Sequence, residues 1–234
     1  MIKCIKRAGQ RLWIFVLILG LLFWFRSDMH DMLKEAIETV TGYVVTGQDG
    51  TKIIALTFDD GPHPIYTPKL LDGLKERGVT ATFFVTGANA TLYPELIERM
   101  QEDGHIVGNH TFHHVQLSSV GVDIFLQELQ ETNRVLEGIL EQNIEYVRPP
   151  FGDWNKSIEQ EIDMFPVLWD IDPLDWCSGN TAQIVKRVLD KAEDHAIILM
   201  HDEYATSVEA ALQIVDELLK EGYEFVTVDR ILLQ

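Results

Sequence analysis

The sequence predicts an α/β fold in which parallel strands alternate with helices. From residue 52 onward, short runs rich in β-branched and aromatic residues alternate with helical stretches of about ten residues. Strands joined by helical crossovers run parallel, because each helix returns the chain to the end of the sheet at which the previous strand began. About seven strands can be recognised, and this number fits either a barrel or an open, doubly wound sheet.

The strands are predicted from their apolar runs and the helices from their boundaries. Gly78 and Gly222 follow two of the helical stretches and are suited to ending them. The predicted strands are 53–58, 80–87, 105–108, 146–148, 166–171, 196–201 and 224–228. The predicted helices are 68–77, 94–102, 122–142, 182–192 and 208–221. Glycine-rich phosphate-binding motifs do not accompany these elements, so nucleotide binding is not indicated.

Composition narrows the class of protein further. The chain has 234 residues, enough for one domain with an additional anchoring segment. Its net charge of −18 disfavours binding to the phosphates of nucleic acid. Two cysteines are too few for a disulfide-stabilised scaffold.

The amino terminus differs from the rest of the chain in charge and hydropathy. Residues 1–26 contain five basic and no acidic side chains, so the remainder carries a net charge of −23. This segment contains the uninterrupted apolar run LWIFVLILGLLFWF at 12–25, and no signal-peptide cleavage site follows it. We therefore expect an uncleaved signal anchor at 1–26, a stalk at 27–50 and a domain at 51–234. This organisation predicts a single-pass protein of the cell membrane whose domain is extracytoplasmic, with a buried core helix or a cleaved signal peptide as the alternatives.

Polar clusters follow the ends of the predicted strands. The carboxyl ends of parallel strands meet on one side of the sheet, so these clusters are expected to lie together. Asp59 and Asp60 directly follow the first strand. Adjacent carboxylates repel each other unless a positive group or a metal ion lies near them. The alternative is an acidic turn with solvated side chains, because Asp-Gly-Pro favours turns.

The second cluster contains three of the eight histidines of the chain. His110 and His114 are four residues apart, which would place two imidazoles on one face of a helical turn. This arrangement suits a transition metal such as zinc, although satisfied or exposed histidines are the alternative. His113 is expected at the surface or behind a ligand. Two histidines and one aspartate leave an open coordination position, and the second aspartate is then available as a base.

The remaining clusters follow the fourth, fifth and sixth predicted strands. Arg148 precedes two prolines that stiffen its loop, and beside a carboxylate it would keep that group ionised. Asp172 and Asp175 follow the fifth strand and His201 ends the sixth. A histidine near an aspartate has a raised pKa and can act as a general acid. A structural ion pair, a capping aspartate and a core histidine are the alternatives. Three tryptophans lie nearby and suit either sugar rings or core packing: Trp154, Trp169 and Trp176.

Taken together, these clusters resemble the five ordered motifs of the polysaccharide deacetylases, carbohydrate esterase family four, which share the NodB homology domain. The motifs are TFDDG at 57–61, HTxxH at 110–114, RPPFG at 148–152, DPLDW at 172–176 and LxH at 199–201. The resemblance spans about residues 52–232. It implies a distorted (β/α) barrel of about seven parallel strands, which here would be preceded by the N-terminal anchor helix.

The resemblance also implies a role for each motif residue. Asp59 matches the catalytic base and Arg148 the residue that orients it. His201 matches the catalytic acid and Asp175 the partner that tunes it. The implied metal ligands are Asp60, His110 and His114. The implied substrate contacts are the backbone N–H of Phe151, as an oxyanion donor, and the side chains of Trp176 and Leu199, as walls of the pocket for the acetyl methyl group.

The implied reaction is metal-dependent hydrolysis of N-acetyl groups from an N-acetylglucosamine-containing polysaccharide, with release of acetate. Peptidoglycan is the first expectation and chitin oligomers the second. One divalent metal ion is expected, zinc first, with cobalt or nickel as alternatives. An O-acetyl esterase acting on a cell-envelope glycan and a catalytically silent glycan-binding module remain alternative functions. A magnesium-dependent phosphoryl enzyme is disfavoured, because magnesium prefers oxygen ligands to imidazole. The expected partners are the polysaccharide and, through the anchor, the membrane; neither nucleic acid nor a protein partner is implied.

Overall fold

The first strand, β1 (Lys52–Asp59), lies inside a curled parallel sheet. The structure is a computed structural model and describes residues 50–232. One edge of β1 pairs with β2 (Thr82–Val85) and β7 (Tyr223–Val226), and the other edge pairs with β6 (Ala196–His201). The sheet continues from β2 through three further strands: β3 (Ile106–Asn109), β4 (Tyr146–Val147) and β5 (Phe165–Pro166).

The two ends of this sheet approach each other. An isolated bridge joins Ile171, beyond β5, to Ile198 in β6. Asp170 strengthens this closure by accepting a hydrogen bond from the backbone N–H of Ile197 at 2.8 Å. The seven strands of the described residues are all parallel. A curled sheet of this kind is consistent with a (β/α) barrel, and it confirms the predicted α/β class.

The helices connect successive strands and cover the outer face of the sheet. In chain order they are α1 (Tyr66–Glu76), α2 (Gly87–Leu92), α3 (Pro94–Glu102), α4 (Leu117–Val120), α5 (Val122–Leu140), α6 (Thr181–Leu189), α7 (Ala205–Lys220) and α8 (Val228–Leu232). Short 3₁₀ turns occur at Pro150–Gly152, Lys156–Ile158 and Asp175–Cys177. The five predicted helices are present; the helix at 94–102 has the predicted ends and the other four have shifted ends. Three further helices, α2, α4 and α8, were not predicted, because they are too short to show a helical period.

Alternate residues of β1 face opposite sides of the sheet. Ile54 belongs to the large core formed with the helices, whereas Ala55 belongs to a smaller cluster on the other side. That smaller cluster contains Ala55, Phe84, Tyr146, Val167, Ile197 and Val228. Thr57 and Asp59 lie two and four residues after Ala55 and therefore face the same side of the sheet. Asp59 thus lies on the concave side, at the carboxyl end of the strand.

The predicted membrane location is contradicted. Within residues 50–232, the structure has no helix that is both long and apolar enough to cross a membrane. The anchor expected at 1–26 and the stalk expected at 27–50 lie outside the described residues, apart from Gly50. The prediction of a single-pass membrane protein with an anchor helix is therefore not supported by the structure.

Candidate active site

The carboxyl ends of the strands bring the predicted polar clusters together. Asp59 at the end of β1 lies opposite Phe84 in β2 and His201 in β6. The backbone N–H of Arg148 donates to the carbonyl of Asn109, which links the ends of β3 and β4. These contacts surround a cavity of about 410 Å³ that is lined by Asp59, Asp60, His110, His114, Phe151, Trp169, Asp172, Trp176, Leu199, His201 and Tyr204.

Three of the predicted side chains converge on one point. Asp60 Oδ1 lies 3.4 Å from His110 Nε2 and 3.3 Å from His114 Nε2. This oxygen is buried and accepts no hydrogen bond of normal geometry from the described residues. His110 Nδ1 lies 2.6 Å from the carbonyl oxygen of Arg148, which can only accept. The Nδ1 atom therefore carries a proton, so in the neutral imidazole the lone pair of Nε2 faces Asp60.

This arrangement fits a divalent metal ion. Lone pairs of an imidazole and a carboxylate that face each other repel unless a cation lies between them. The spacing of 3.3–3.4 Å also matches the edge of a tetrahedron whose corners lie about 2.0–2.1 Å from its centre, the usual distance for zinc. Burial opposes ionisation of Asp60. Where His110 is protonated, however, its hydrogen bond and charge, together with the charges of His114 and His201, outweigh burial and lower the pKa of Asp60 to about 2. A metal cation would favour the ionised carboxylate in the same way. Asp60, His110 and His114 thus form a group that could hold a metal ion.

The two histidines reach this geometry without the predicted helical turn. The segment between β3 and α4 is a loop, and Thr111 and His114 adopt left-handed backbone conformations with φ of 61° and 55°. Bends at these residues bring the imidazole centroids of His110 and His114 within 5.0 Å. His113 points away and contacts Glu128 at 3.0 Å, as expected for a residue outside the ligand set.

Asp59 is held by a buried arginine. Arg148 is fully buried, and its Nη1 donates to Asp59 Oδ1 at 2.8 Å and to Thr57 Oγ1 at 2.6 Å. The rest of the guanidinium donates to the carbonyls of Val167 and Leu168 and lies 4.2 Å from the ring centroid of Phe84. Asp59 Oδ2 remains on the side of the ligands, 3.7 Å from His110 Nε2. One carboxylate oxygen is thus fixed while the other faces the cavity.

His201 is held by Asp175 from the opposite wall. Asp175 is buried and accepts two hydrogen bonds of 2.9 Å from this residue, one from its backbone N–H and one from Nδ1. Burial alone would lower the pKa of His201, but Asp175, with smaller contributions from Asp59 and Asp60, raises it to about 9. The Nε2 atom faces the ligand set, 3.9 Å from Asp60 Oδ2. This imidazole is therefore arranged to hold a proton at Nε2.

The predicted substrate contacts line the same cavity. Leu199 is buried in β6, whereas Trp176 is exposed. Phe151 is also exposed, and its ring lies 4.7 Å from that of His114. Among the three tryptophans, Trp169 and Trp176 line the cavity, but Trp154 does not. Trp154 instead packs against the core and donates to Glu159, which corresponds to the core-packing alternative.

Comparison with known proteins identifies the family. The model of the polysaccharide deacetylase family matches residues 46–167. Peptidoglycan-N-acetylmuramic acid deacetylase PdaC of Bacillus subtilis is 42% identical over 180 residues, which are 77% of this chain and 38% of that protein. The chain belongs to the polysaccharide deacetylase family. This confirms the resemblance drawn from the five motifs.

Other polysaccharide deacetylases are similar over the same region. Peptidoglycan-N-acetylglucosamine deacetylase PgdA of Listeria monocytogenes is 38% identical over 180 residues, 77% of this chain and 39% of that protein. The chain therefore spans about two fifths of the length of these two relatives. The solved structure of PdaC from Bacillus subtilis matches with a TM-score of 0.76 at 42% identity, covering 78% of this chain and 90% of that one.

Some residues that line or support this cavity were not predicted from the sequence. Tyr204 lines the cavity, but it lies three residues beyond the end of β6. Thr57 supports Arg148 from within β1, and Asn89 in α2 donates to the backbone of Asp60. These residues are not charged side chains that directly follow a strand. Neither their type nor their position in the sequence marks them as part of a site.

A buried carboxyl group beside the site predicts a specific pH dependence of stability. Asp202 is fully buried against Gly61, where an added Cβ would collide with the Asp202 carboxylate. Burial, partly offset by a hydrogen bond with Thr67, raises the pKa of Asp202 to about 7. The folded state thus favours the neutral acid, and its contribution is complete below about pH 4 and lost as the pH rises towards 7.

Asp202→Asn is therefore expected to gain stability relative to the wild type as the pH rises, by a few kcal/mol between about pH 4 and pH 8. Urea unfolding of both proteins with chelator present measures this difference without a contribution from metal. The exposed Asp190→Asn is the control and should change stability by less than about 0.5 kcal/mol at either pH. A difference for Asp202→Asn that stays constant with pH would contradict the assignment.

Proposed function

We propose that the protein hydrolyses N-acetyl groups of an N-acetylglucosamine-containing polysaccharide and releases acetate. The observation that carries the proposal is the convergence of a metal-ligand set, a fixed carboxylate and a paired histidine around one cavity. Membership of the polysaccharide deacetylase family supports it. A silent glycan-binding module would not require a base, an acid and ligands all held in place.

Asp60, His110 and His114 would hold one divalent ion, zinc first, with cobalt or nickel as alternatives. When bound, the ion supplies Lewis-acid polarisation of the acetyl carbonyl and lowers the pKa of a water molecule. Asp59 is the base and takes the proton of the attacking water at Oδ2, because Arg148 occupies its Oδ1. His201 is the acid and gives its Nε2 proton to the amine as the carbon–nitrogen bond breaks, while Asp175 holds Nδ1.

The remaining predicted residues shape the substrate position. We assign Leu199 and Trp176 to the walls that enclose the acetyl methyl group, since both line the cavity. The backbone N–H of Phe151 is proposed to donate to the oxyanion of the tetrahedral intermediate. The exposed rings of Trp176 and Phe151 at the mouth of the cavity suit the faces of sugar rings.

Peptidoglycan is the proposed substrate and chitin oligomers are the second candidate. PdaC is named for N-acetylmuramic acid and PgdA for N-acetylglucosamine, so the relatives share peptidoglycan and differ in the sugar. We propose N-acetylglucosamine as the target sugar, because it is present in both candidate substrates, peptidoglycan and chitin.

Acetate release by the full chain from peptidoglycan and from chitin oligomers tests this function. We expect release with zinc and a loss of at least about a hundredfold with excess chelator, restored by added zinc. Parallel assays with cobalt and nickel identify the preferred metal. Absence of acetate from both glycans, with zinc shown to be bound, would overturn the proposal. Release only from an O-acetylated glycan would instead establish an esterase.

A further inference from the structure

The backbone of the proposed metal ligand Asp60 is strained. Its φ is 74°, in the left-handed region that residues other than glycine seldom adopt. Such a conformation costs free energy and persists only where the surrounding structure holds it. The contacts around Asp60 therefore show which residues keep its carboxylate in place.

The carbonyl oxygen of Asp60 is anchored mainly by one side chain. Asn89 Nδ2 in α2 donates to this oxygen at 2.8 Å, whereas Thr86 Oγ1 reaches it only at 3.4 Å. The orientation of the Asn89 amide is fixed, because a carbonyl can only accept and so must face the NH₂ group. The next peptide is held separately, since the N–H of Thr86 donates to the carbonyl of Gly61 at 3.2 Å.

This anchor acts close to the ligand atom. The carbonyl carbon and the Cβ that carries the carboxylate of Asp60 are attached to the same Cα, so rotation of the backbone displaces Oδ1. That oxygen has to remain 3.3–3.4 Å from Nε2 of both His110 and His114. Without the bond from Asn89, the strained backbone is free to relax away from this position.

We propose that Asn89 is a positioning residue of the metal centre, which holds the left-handed backbone of Asp60 and thereby the geometry of the ligand set. The inference rests on the metal centre of the proposed function. Asn89 also lines a second cavity, of about 420 Å³, that shares Asp60 and His114 with the first. An effect on acetate release alone would therefore not separate positioning of the metal from contact with the glycan.

Zinc affinity measured without substrate separates the two roles. The dissociation constant is obtained for the full chain by competition with a chromophoric chelator, with the thermal midpoint of the metal-free protein measured in parallel. Asn89→Ala removes the side chain, whereas Asn89→Asp keeps its size and removes its donors. The control is Asn180→Ala, which removes an N-cap of α6 that accepts from the N–H of Gln183 at 3.1 Å.

We expect both Asn89 variants to bind zinc roughly 10–100-fold more weakly than the wild type, as is usual when a group supporting a ligand is removed. Asn180→Ala should lower the thermal midpoint and leave zinc affinity unchanged. Wild-type zinc affinity in Asn89→Asp would overturn the positioning role, since that variant lacks the donors whether or not its stability changes. Failure of the wild type itself to bind zinc would overturn the metal centre instead.

Discussion

Replacement of Asp59 by asparagine is expected to lower the rate of acetate release by roughly 10²–10⁴-fold, the usual contribution of a general base. Asparagine keeps the size of the side chain, and its oxygen can still accept from Arg148, but it cannot take a proton from water. Arg148 also keeps its bonds to Thr57 and to two backbone carbonyls, so the fold should persist. Asp59 is not among the three ligands, and we expect zinc affinity to stay within about tenfold of wild type.

Initial rates on chitin oligomers, with zinc content measured for each sample, test this expectation. The matched control is Asp123→Asn, the same substitution at an exposed position in the first turn of α5, which should leave the rate unchanged. Zinc-loaded Asp59→Asn with more than about a tenth of wild-type activity would show that another group accepts the proton.

Arg148→Met is expected to be among the most destabilising single substitutions in the molecule. Methionine is long and apolar, so it replaces much of the packing but neither the charge nor the donors. Asp59 would remain buried without its partner, which typically costs about 3–5 kcal/mol. A domain of this size loses roughly 2–4 °C in thermal midpoint per kcal/mol, so a decrease of about 10 °C is expected.

Two comparisons establish the cause of that loss. Arg77→Met breaks a more exposed pair, in which Nε lies 2.8 Å from Asp216 Oδ1, and should cost no more than about 1 kcal/mol. Arg148→Met combined with Asp59→Asn removes both buried charges and should recover part of the lost stability. A double variant that is no more stable than Arg148→Met would show that lost hydrogen bonds and packing, and not the unpaired charge, cause the effect.

Local patterns predicted the parts of the site that depend on strands. The apolar run of β1 placed Asp59 and Asp60 at its carboxyl end, and the same reasoning placed Arg148 and His201. The parallel arrangement then required these ends to meet. The membership of each cluster was therefore predictable, although the sequence alone left the choice between a barrel and an open sheet undecided.

Features that depend on tertiary contacts were not predictable in this way. The spacing of His110 and His114 suggested a helical turn, but the left-handed conformations of Thr111 and His114 are imposed by the surrounding loop. The strand expected at 166–171 is reduced to Phe165–Pro166 and a single bridge at Ile171. Between them, the carbonyls of Val167 and Leu168 accept from the guanidinium of Arg148. Asn89 has no sequence signal, since its contact with Asp60 exists only once α2 is docked.

The central position of β1 has a consequence for how the molecule is assembled. Arg148 lies 89 residues from Asp59 along the chain, and Ile198 lies 141 residues from Thr57, whose hydroxyl donates to its carbonyl. A chain still being synthesised, with residues beyond 195 not yet made, lacks β6 and leaves one edge of β1 without its partner. Because contacts between such distant segments form slowly, completion of the cavity is a late event in folding. Acetate release is therefore expected only after the whole sheet has closed. Binding of a metal ion by Asp60, His110 and His114 can occur at a different stage of folding.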